Sequence, residues 1–139
     1  MKLLTKETDY AIRAVMYVAR RDGFVSSRDI AGQEEIPLHF LRRILQNLVR
    51  VGIIESKEGV SGGVRLTSRP DAIRVADLVR IFQGRIQLSE CMFRRKICSN
   101  RRTCVLRKRI QTIEEMVTEE FENMTIADLL QDVEVQYET

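Results

Sequence analysis

Residues 37–66 read PLHFLRRILQNLVRVGIIESKEGVSGGVRL, and within them the period of the apolar residues changes. From Pro37 to about Val51 the apolar positions Leu41, Ile44/Leu45 and Leu48 recur at helical spacing. Arg42, Arg43, Gln46 and Arg50 fall off that stripe. Pro37 suits a first helical turn, and Gly52 stops the helix. Beyond it, Ile53-Ile54-Glu55-Ser56 reads as a strand and Gly59-Val60-Ser61-Gly62-Gly63 as a turn. Val64-Arg65-Leu66-Thr67 alternates as a returning strand. A helix followed by a glycine-rich hairpin is the second half of a winged helix-turn-helix.

The flanks supply the first half. Thr5 to Arg21 reads as a helix with Ala11, Ala14/Val15 and Val18 on one face, closed by Asp22-Gly23. Ser26-Ser27-Arg28-Asp29 has a capping-box pattern and opens a short helix to about Glu34. Ile36-Pro37 then breaks the chain. After the hairpin, a fourth helix is expected over Val75–Phe82, ended by Gly84. A long helix is expected from about Arg102 to Asn123. Its positions Leu106, Ile110, Ile113, Val117, Phe121 and Met124 step by three and four, close to a heptad seam. Such a seam serves a second copy of the chain or the fourth helix, or both. Thr125-Ile126-Ala127-Asp128 resembles one more helix start. The expected fold is mainly α with a small β-hairpin wing. It divides into a winged helix-turn-helix domain over 1–84, a cysteine-containing loop over 85–104, and a dimerisation helix with an acidic C-terminal stretch over 105–139.

Composition bounds the function. The 139 residues are 44% hydrophobic, enough for a core. No apolar run nears the ~20 residues of a membrane span, and Met1–Leu4 leads straight into a helical pattern without a signal-peptide core. A cytoplasmic protein is expected. The net charge is only +3, but it is unevenly spread. Arg94, Arg95, Lys96, Arg101, Arg102, Arg107, Lys108 and Arg109 form an uninterrupted basic patch, whereas 111–139 holds nine acidic residues and no Lys or Arg. Residues 1–70 carry twelve basic and eight acidic side chains. A polyanion partner at one end fits this pattern, as does a merely solubilised surface. Enzymatic signatures are missing: no nucleophile–base pair, no phosphate-cradling loop opening a helix, no motif-borne carboxylate pair. The Gly59–Gly63 glycines lie in a hairpin, not in the strand-to-helix turn of a nucleophile elbow. No small-molecule substrate is expected.

Double-stranded DNA is the partner these elements fit. Arg42, Arg43 and Gln46 face away from the apolar stripe and suit base edges or phosphates. His39 lies near the start of its helix, where backbone N–H groups favour phosphate, and Arg28 is a further candidate DNA contact. Lys57 and Arg65 flank a wing tip whose Ser61, Gly62 and Gly63 let backbone approach DNA closely. A domain this small reads an operator best as a homodimer spanning two half-sites.

Cys91-x6-Cys98-x5-Cys104 is the chemically informative spacing. Three thiols within fourteen residues can converge on one metal centre, and the cationic side chains around them offset the charge of a metal–thiolate complex. The spacing is too wide for a C-x2-C zinc knuckle, and the single His, His39, belongs to the recognition helix. A four-ligand centre must borrow one donor. Equally, three unligated thiols can act as an oxidisable switch.

The ordered set of motifs resembles the Rrf2 family of bacterial winged-helix regulators. It comprises Thr8-Asp9-Tyr10-Ala11-Ile12-Arg13-Ala14, Arg28-Asp29-Ile30-Ala31, Pro37 through Ile54, Ser61-Gly62-Gly63-Val64-Arg65-Leu66, Ala76-Asp77-Leu78-Val79 and the cysteine loop. The match spans essentially the whole chain. The resemblance implies a homodimer crossed through the long helix. It also implies an iron–sulfur cluster (2Fe–2S or 4Fe–4S) on Cys91, Cys98 and Cys104, sensing redox state, nitric oxide or iron–sulfur status, in a transcription repressor. IscR-like members take the fourth ligand from a His three residues after the last Cys, where this chain has Arg107. NsrR-like members use an Asp of the partner's first helix, and Asp9 occupies that position. Glu7 is a lesser candidate, and an acid so near a helix start is also favoured by the macrodipole alone. Two positions depart from the family pattern: six residues rather than five separate Cys91 from Cys98, and Val64 replaces the usual wing aromatic. A metal-free thiol switch on the same fold is the alternative.

Overall fold

The computed structural model describes residues 3–88 and 104–138. Its elements follow the order α1 (Lys6–Ala19), α2 (Ser27–Glu34), α3 (Leu38–Arg50), β1 (Ile54–Lys57), β2 (Gly63–Leu66), a 3-10 turn (Pro70–Ala72), α4 (Val75–Phe82), α5 (Val105–Asn123) and α6 (Ile126–Glu138). Among the described residues the fold is mainly helical with one two-stranded antiparallel hairpin, as expected.

Caps set the first helices. The Thr5 hydroxyl accepts the Thr8 N–H at 3.2 Å, and the Ser26 hydroxyl accepts the Asp29 N–H at 3.1 Å. Helix α1 ends earlier than its sequence suggests, because Arg20 already caps it ahead of Asp22-Gly23. The turn between α2 and α3 is made by Glu35, which takes a left-handed conformation at φ 53°. The Ile36 N–H then returns to the Ala31 carbonyl at 3.0 Å, and the Ile36 side chain is buried. Pro37 stands at the N-cap of α3 rather than within its first turn.

The hairpin pairs Ile54 with Leu66, Glu55 with Arg65, Ser56 with Val64 and Lys57 with Gly63. Both strands sit one residue away from the expected spans. Ile53 belongs to the end of α3, since its N–H bonds the Leu48 carbonyl at 3.0 Å. Val25 adds an outer bridge: it exchanges two backbone hydrogen bonds with Val64, each 2.8 Å. The wing is therefore tied to the segment that enters α2.

The core gathers the predicted stripes. Ala11, Ala14, Val15 and Val18 of α1 and Leu41, Ile44, Leu45 and Leu48 of α3 are all buried, with Ile30, Ile54 and Leu78. Helix α4 has the span expected of it, and the Asp77 carboxylate accepts the Arg74 N–H at 3.0 Å. The acidic stretch after α5 is a helix packed on this same core. Thr125 and Asp128 cap each other's backbone at 3.1 and 2.9 Å. Ile126 is fully buried. A short bridge joins the starts of α4 and α6, with Val75 N–H to Met124 O and Ile126 N–H to Ile73 O both at 2.9 Å.

Helix α5 begins later than expected. Cys104 has an extended backbone (φ −69°, ψ 107°), so the helix starts at Val105; Arg102 lies outside the described residues. No α5 residue is fully buried. The expected seam divides: Val117, Phe121 and Met124 pack on Val75, Val79 and Ile86, while Leu106 and Ile113 are exposed, as are Val105 and Met116.

Candidate nucleic-acid interface

Helix α3 separates its two faces cleanly. Leu41, Ile44, Leu45 and Leu48 point into the core, and His39, Arg42, Arg43 and Gln46 are exposed. Arg43 rests its guanidinium 4.9 Å from the centroid of the Phe40 ring. Arg28, in the first turn of α2, is exposed as well. Among the described residues, Arg28, Arg42 and Arg43 have no carboxylate partner. Their charge is available to a polyanion.

The wing holds Lys57, Ser61 and Arg65 exposed and Gly62 and Gly63 half-buried. Its glycines have an internal cause. A Cβ on Gly62 would lie 2.1 Å from the Lys57 carbonyl oxygen, and one on Gly63 would lie 2.2 Å from that of Val25. Gly63 also has φ +145°, a region L side chains rarely adopt. Close backbone packing within the wing therefore demands these glycines before any DNA approaches.

Two residues that sequence reasoning missed join this surface. Phe24 lies beneath the wing, with the Arg65 guanidinium 4.5 Å and the Lys57 ammonium 5.7 Å from its ring centroid. Glu55, directly across from Arg65, accepts a hydrogen bond from its Nε. The alternation of β1 could have revealed Glu55 as the cross-strand partner. Phe24 carried no signal, because its placement follows from the bridge at Val25.

The expected metal ligands fall in two groups. Cys91 and Cys98 lie outside the described residues. Cys104 is a half-buried free thiol at the start of α5. Asp9 is exposed in the first turn of α1 and pairs with Arg13 at 3.2 Å. Glu7 is half-buried one turn position away. Among the described residues, no three His, Cys, Asp or Glu side chains gather as a metal site.

Behind Asp9 the helix start is firmly held. Thr8, fully buried, donates its hydroxyl to Gln83 Oε1 at 2.7 Å. The same oxygen accepts the Thr5 N–H at 3.0 Å, and Gln83 Nε2 donates to the Leu3 carbonyl at 3.0 Å.

Comparison with known proteins decides the family. The family described as "Iron-dependent Transcriptional regulator", Rrf2, matches residues 4–132. The chain belongs to the Rrf2 family. This Rrf2 protein is 32% identical over 132 residues to the HTH-type transcriptional regulator NsrR of Geobacillus kaustophilus, covering 93% of this chain and 90% of the relative. Its fold is similar to CymR, the global cysteine regulator of B. subtilis, at TM-score 0.75 and 25% identity over 94% of this chain and 98% of CymR. It is similar in fold to T. potens IscR at TM-score 0.77 and 22% identity, covering 96% and 88%. The family makes this Rrf2 chain a transcriptional regulator, in keeping with the regulator name of its NsrR relative. No described helix is long and apolar enough to cross a membrane.

Proposed function

We propose that this Rrf2 protein is a homodimeric repressor that reads an operator with α3 and the wing, under control of an iron–sulfur cluster on Cys91, Cys98, Cys104 and the partner's Asp9. The observation that carries the DNA reading is the row His39, Arg42, Arg43 and Gln46, exposed on α3 with its arginines unpaired by carboxylates among the described residues. Arg28, Lys57, Ser61, Gly62, Gly63 and Arg65 extend it on either side. The exposed Val105, Leu106, Ile113 and Met116 support dimerisation through α5, since a row of apolar side chains along one helix is the usual material of a helix–helix interface.

The donor chemistry fits a cluster where it is described. Among the described residues Cys104 has no disulfide partner, and the Asp9 carboxylate is held by an exposed i,i+4 ion pair, an interaction of about 0.5 kcal/mol that a metal can readily displace. A bound cluster would supply a centre that oxidants and nitric oxide degrade. The chain's own contribution is positional: Cys104 opens α5, and Asp9 opens α1 beside the buried Thr8. Regulation requires the two ligation states to differ in operator affinity by a coupling of about 1–3 kcal/mol.

Protein purified without oxygen tests this reading by its visible spectrum together with iron and sulfide assays. Colour with both elements, bleached by nitric oxide and lost in Cys→Ala variants, is expected. Unchanged cluster stability and operator affinity in Asp9→Ala would remove Asp9 from the ligand set. The second reading, a metal-free thiol switch, is favoured by the free, half-buried Cys104 and by the similarity to a global cysteine regulator. Colourless protein with normal DNA affinity, altered by oxidation, would establish it.

A further inference from the structure

Arg65 is held on two sides. Its Nε donates to Glu55 on the facing strand, and its guanidinium lies 4.5 Å from the centroid of Phe24. Phe24 is itself fixed, because the next residue, Val25, makes both 2.8 Å bonds to Val64 in the wing. The two Nη groups of Arg65 have no partner among the described residues. One edge of the fork is thus engaged and the other is presented outward. An unconstrained arginine loses substantial rotamer freedom on binding, and a held fork loses less for each hydrogen bond formed.

Glu55 is an odd residue to find there if the wing only attracts phosphate. A carboxylate on a DNA-facing surface repels the backbone and weakens sequence-independent binding. Its location opposite Arg65 makes sense if orientation matters more than charge. We propose that Glu55 and Phe24 are positioning residues that aim the Nη edge of Arg65 into a narrow, A·T-rich minor groove. Such grooves carry an enhanced negative potential that favours an inserted arginine. The proposal rests on the DNA-binding reading above and adds a source of sequence discrimination within the wing.

The test compares wild type, Arg65→Ala, Glu55→Ala, Glu55→Gln and Phe24→Leu. The probe is a duplex enriched by the wild-type protein from a random-sequence library, beside a copy with its flanking A·T pairs changed to G·C. The readout is the ratio of the two affinities at fixed salt. Arg65→Ala and Glu55→Ala should lower that ratio, on the order of tenfold for loss of one oriented arginine, and Phe24→Leu should lower it less. Glu55→Gln should keep the ratio, because its amide oxygen still accepts the Nε–H. Both Glu55 variants should bind the G·C-flanked duplex more tightly through loss of negative charge, so affinity and discrimination separate. A Glu55→Ala variant that keeps the wild-type ratio overturns the proposal, as does Glu55→Gln losing it equally. If Arg65→Ala alone lowers the ratio, the DNA reading survives and the positioning role fails. If wild type enriches no duplex, the DNA reading itself fails and the positioning role with it.

Discussion

Gly63→Ala should detach the wing from the body of the protein. The added Cβ would stand 2.2 Å from the Val25 carbonyl oxygen, 2.5 Å from its carbon and 2.9 Å from Ser26 N. All three are backbone atoms, so no side chain can swing aside. The strand must move, and the two 2.8 Å bonds between Val25 and Val64 are the contacts that break. Each is worth about 0.5–1.5 kcal/mol net. A non-glycine residue at φ +145° adds about 1–3 kcal/mol. Gly59→Ala is the matched control: its φ is +111°, but nothing lies within 4 Å of the new Cβ. It carries the backbone cost without the collision. Urea unfolding should therefore place Gly63→Ala below Gly59→Ala by about 2 kcal/mol. Hydrogen exchange should show faster exchange of the Val25 and Val64 amides in Gly63→Ala only. A gap under about 0.5 kcal/mol, with both amides still protected, would refute the claim that close backbone packing demands this glycine.

Three further outcomes are expected. Ile126→Ala should destabilise the whole protein by about 2–4 kcal/mol in chemical denaturation, because a fully buried side chain is removed from the core shared by α1, α3 and α6; a surface-like cost would show that α6 is not part of that core. The Thr125 backbone and hydroxyl hydrogen bonds hold the Asp128 carboxyl below its ordinary range, so its stabilisation is present above the unfolded value near ~3.9 and is lost as pH falls through the lower folded value. The stability difference between wild type and Asp128→Asn should accordingly shrink on acidification below about pH 5, and a pH-independent difference would contradict this. If α5 is the dimer surface, Ile113→Glu should shift the sedimentation profile toward monomer while leaving the far-ultraviolet spectrum intact; an unshifted profile counts against that surface.

Much of the fold was legible because its signals are local. Ser26 and Asp29 announce the start of α2, and the Thr125/Asp128 pair announces α6, since caps depend on residues three apart. The stripes of α1 and α3 are long enough for their period to be unambiguous. What could not be read rests on contacts distant in sequence. The single bridge between Val25 and Val64 is too short to impose a strand pattern, so neither it nor the Phe24 platform was visible. Ile36-Pro37 reads as the break in sequence, whereas the turn is made by Glu35 in a left-handed conformation. The seam of α5 looks uniform in sequence, yet among the described residues Val117, Phe121 and Met124 pack on Val75, Val79 and Ile86 while Leu106 and Ile113 are exposed. Of the candidate site, the exposed face of α3 could be read from periodicity. The engagement of Arg65 by Glu55 and Phe24 could not.

The contacts behind Asp9 also constrain how any ligation there could reach DNA. Asp9 pairs with Arg13, whose Nη1 donates to the Glu34 carbonyl at 3.0 Å, beside the turn that launches α3. Two side-chain contacts thus separate the proposed ligand from the recognition helix. Yet the Asp9–Arg13 pair is half exposed, and such pairs are worth about 0.3–0.5 kcal/mol. Surrendering it to a metal is cheap, and by the same measure its loss cannot account for a coupling of about 1–3 kcal/mol. The stronger tie is the one through Gln83, at the end of α4, which binds buried Thr8 as well as the backbone of Leu3 and Thr5. The Thr8 hydroxyl also bonds Thr5 Oγ1 at 2.9 Å, so the loss of Gln83 costs about 0.5–1.5 kcal/mol for each of its three bonds rather than an unsatisfied hydroxyl, and together they reach the size such a coupling would need. The chain leaves α4 at Gln83 toward the cysteines, so a change there bears directly on the start of α1. If Asp9 is a ligand, the bonds of Gln83 are the larger hold on the start of α1, and the surface ion pair with Arg13 is the one readily released.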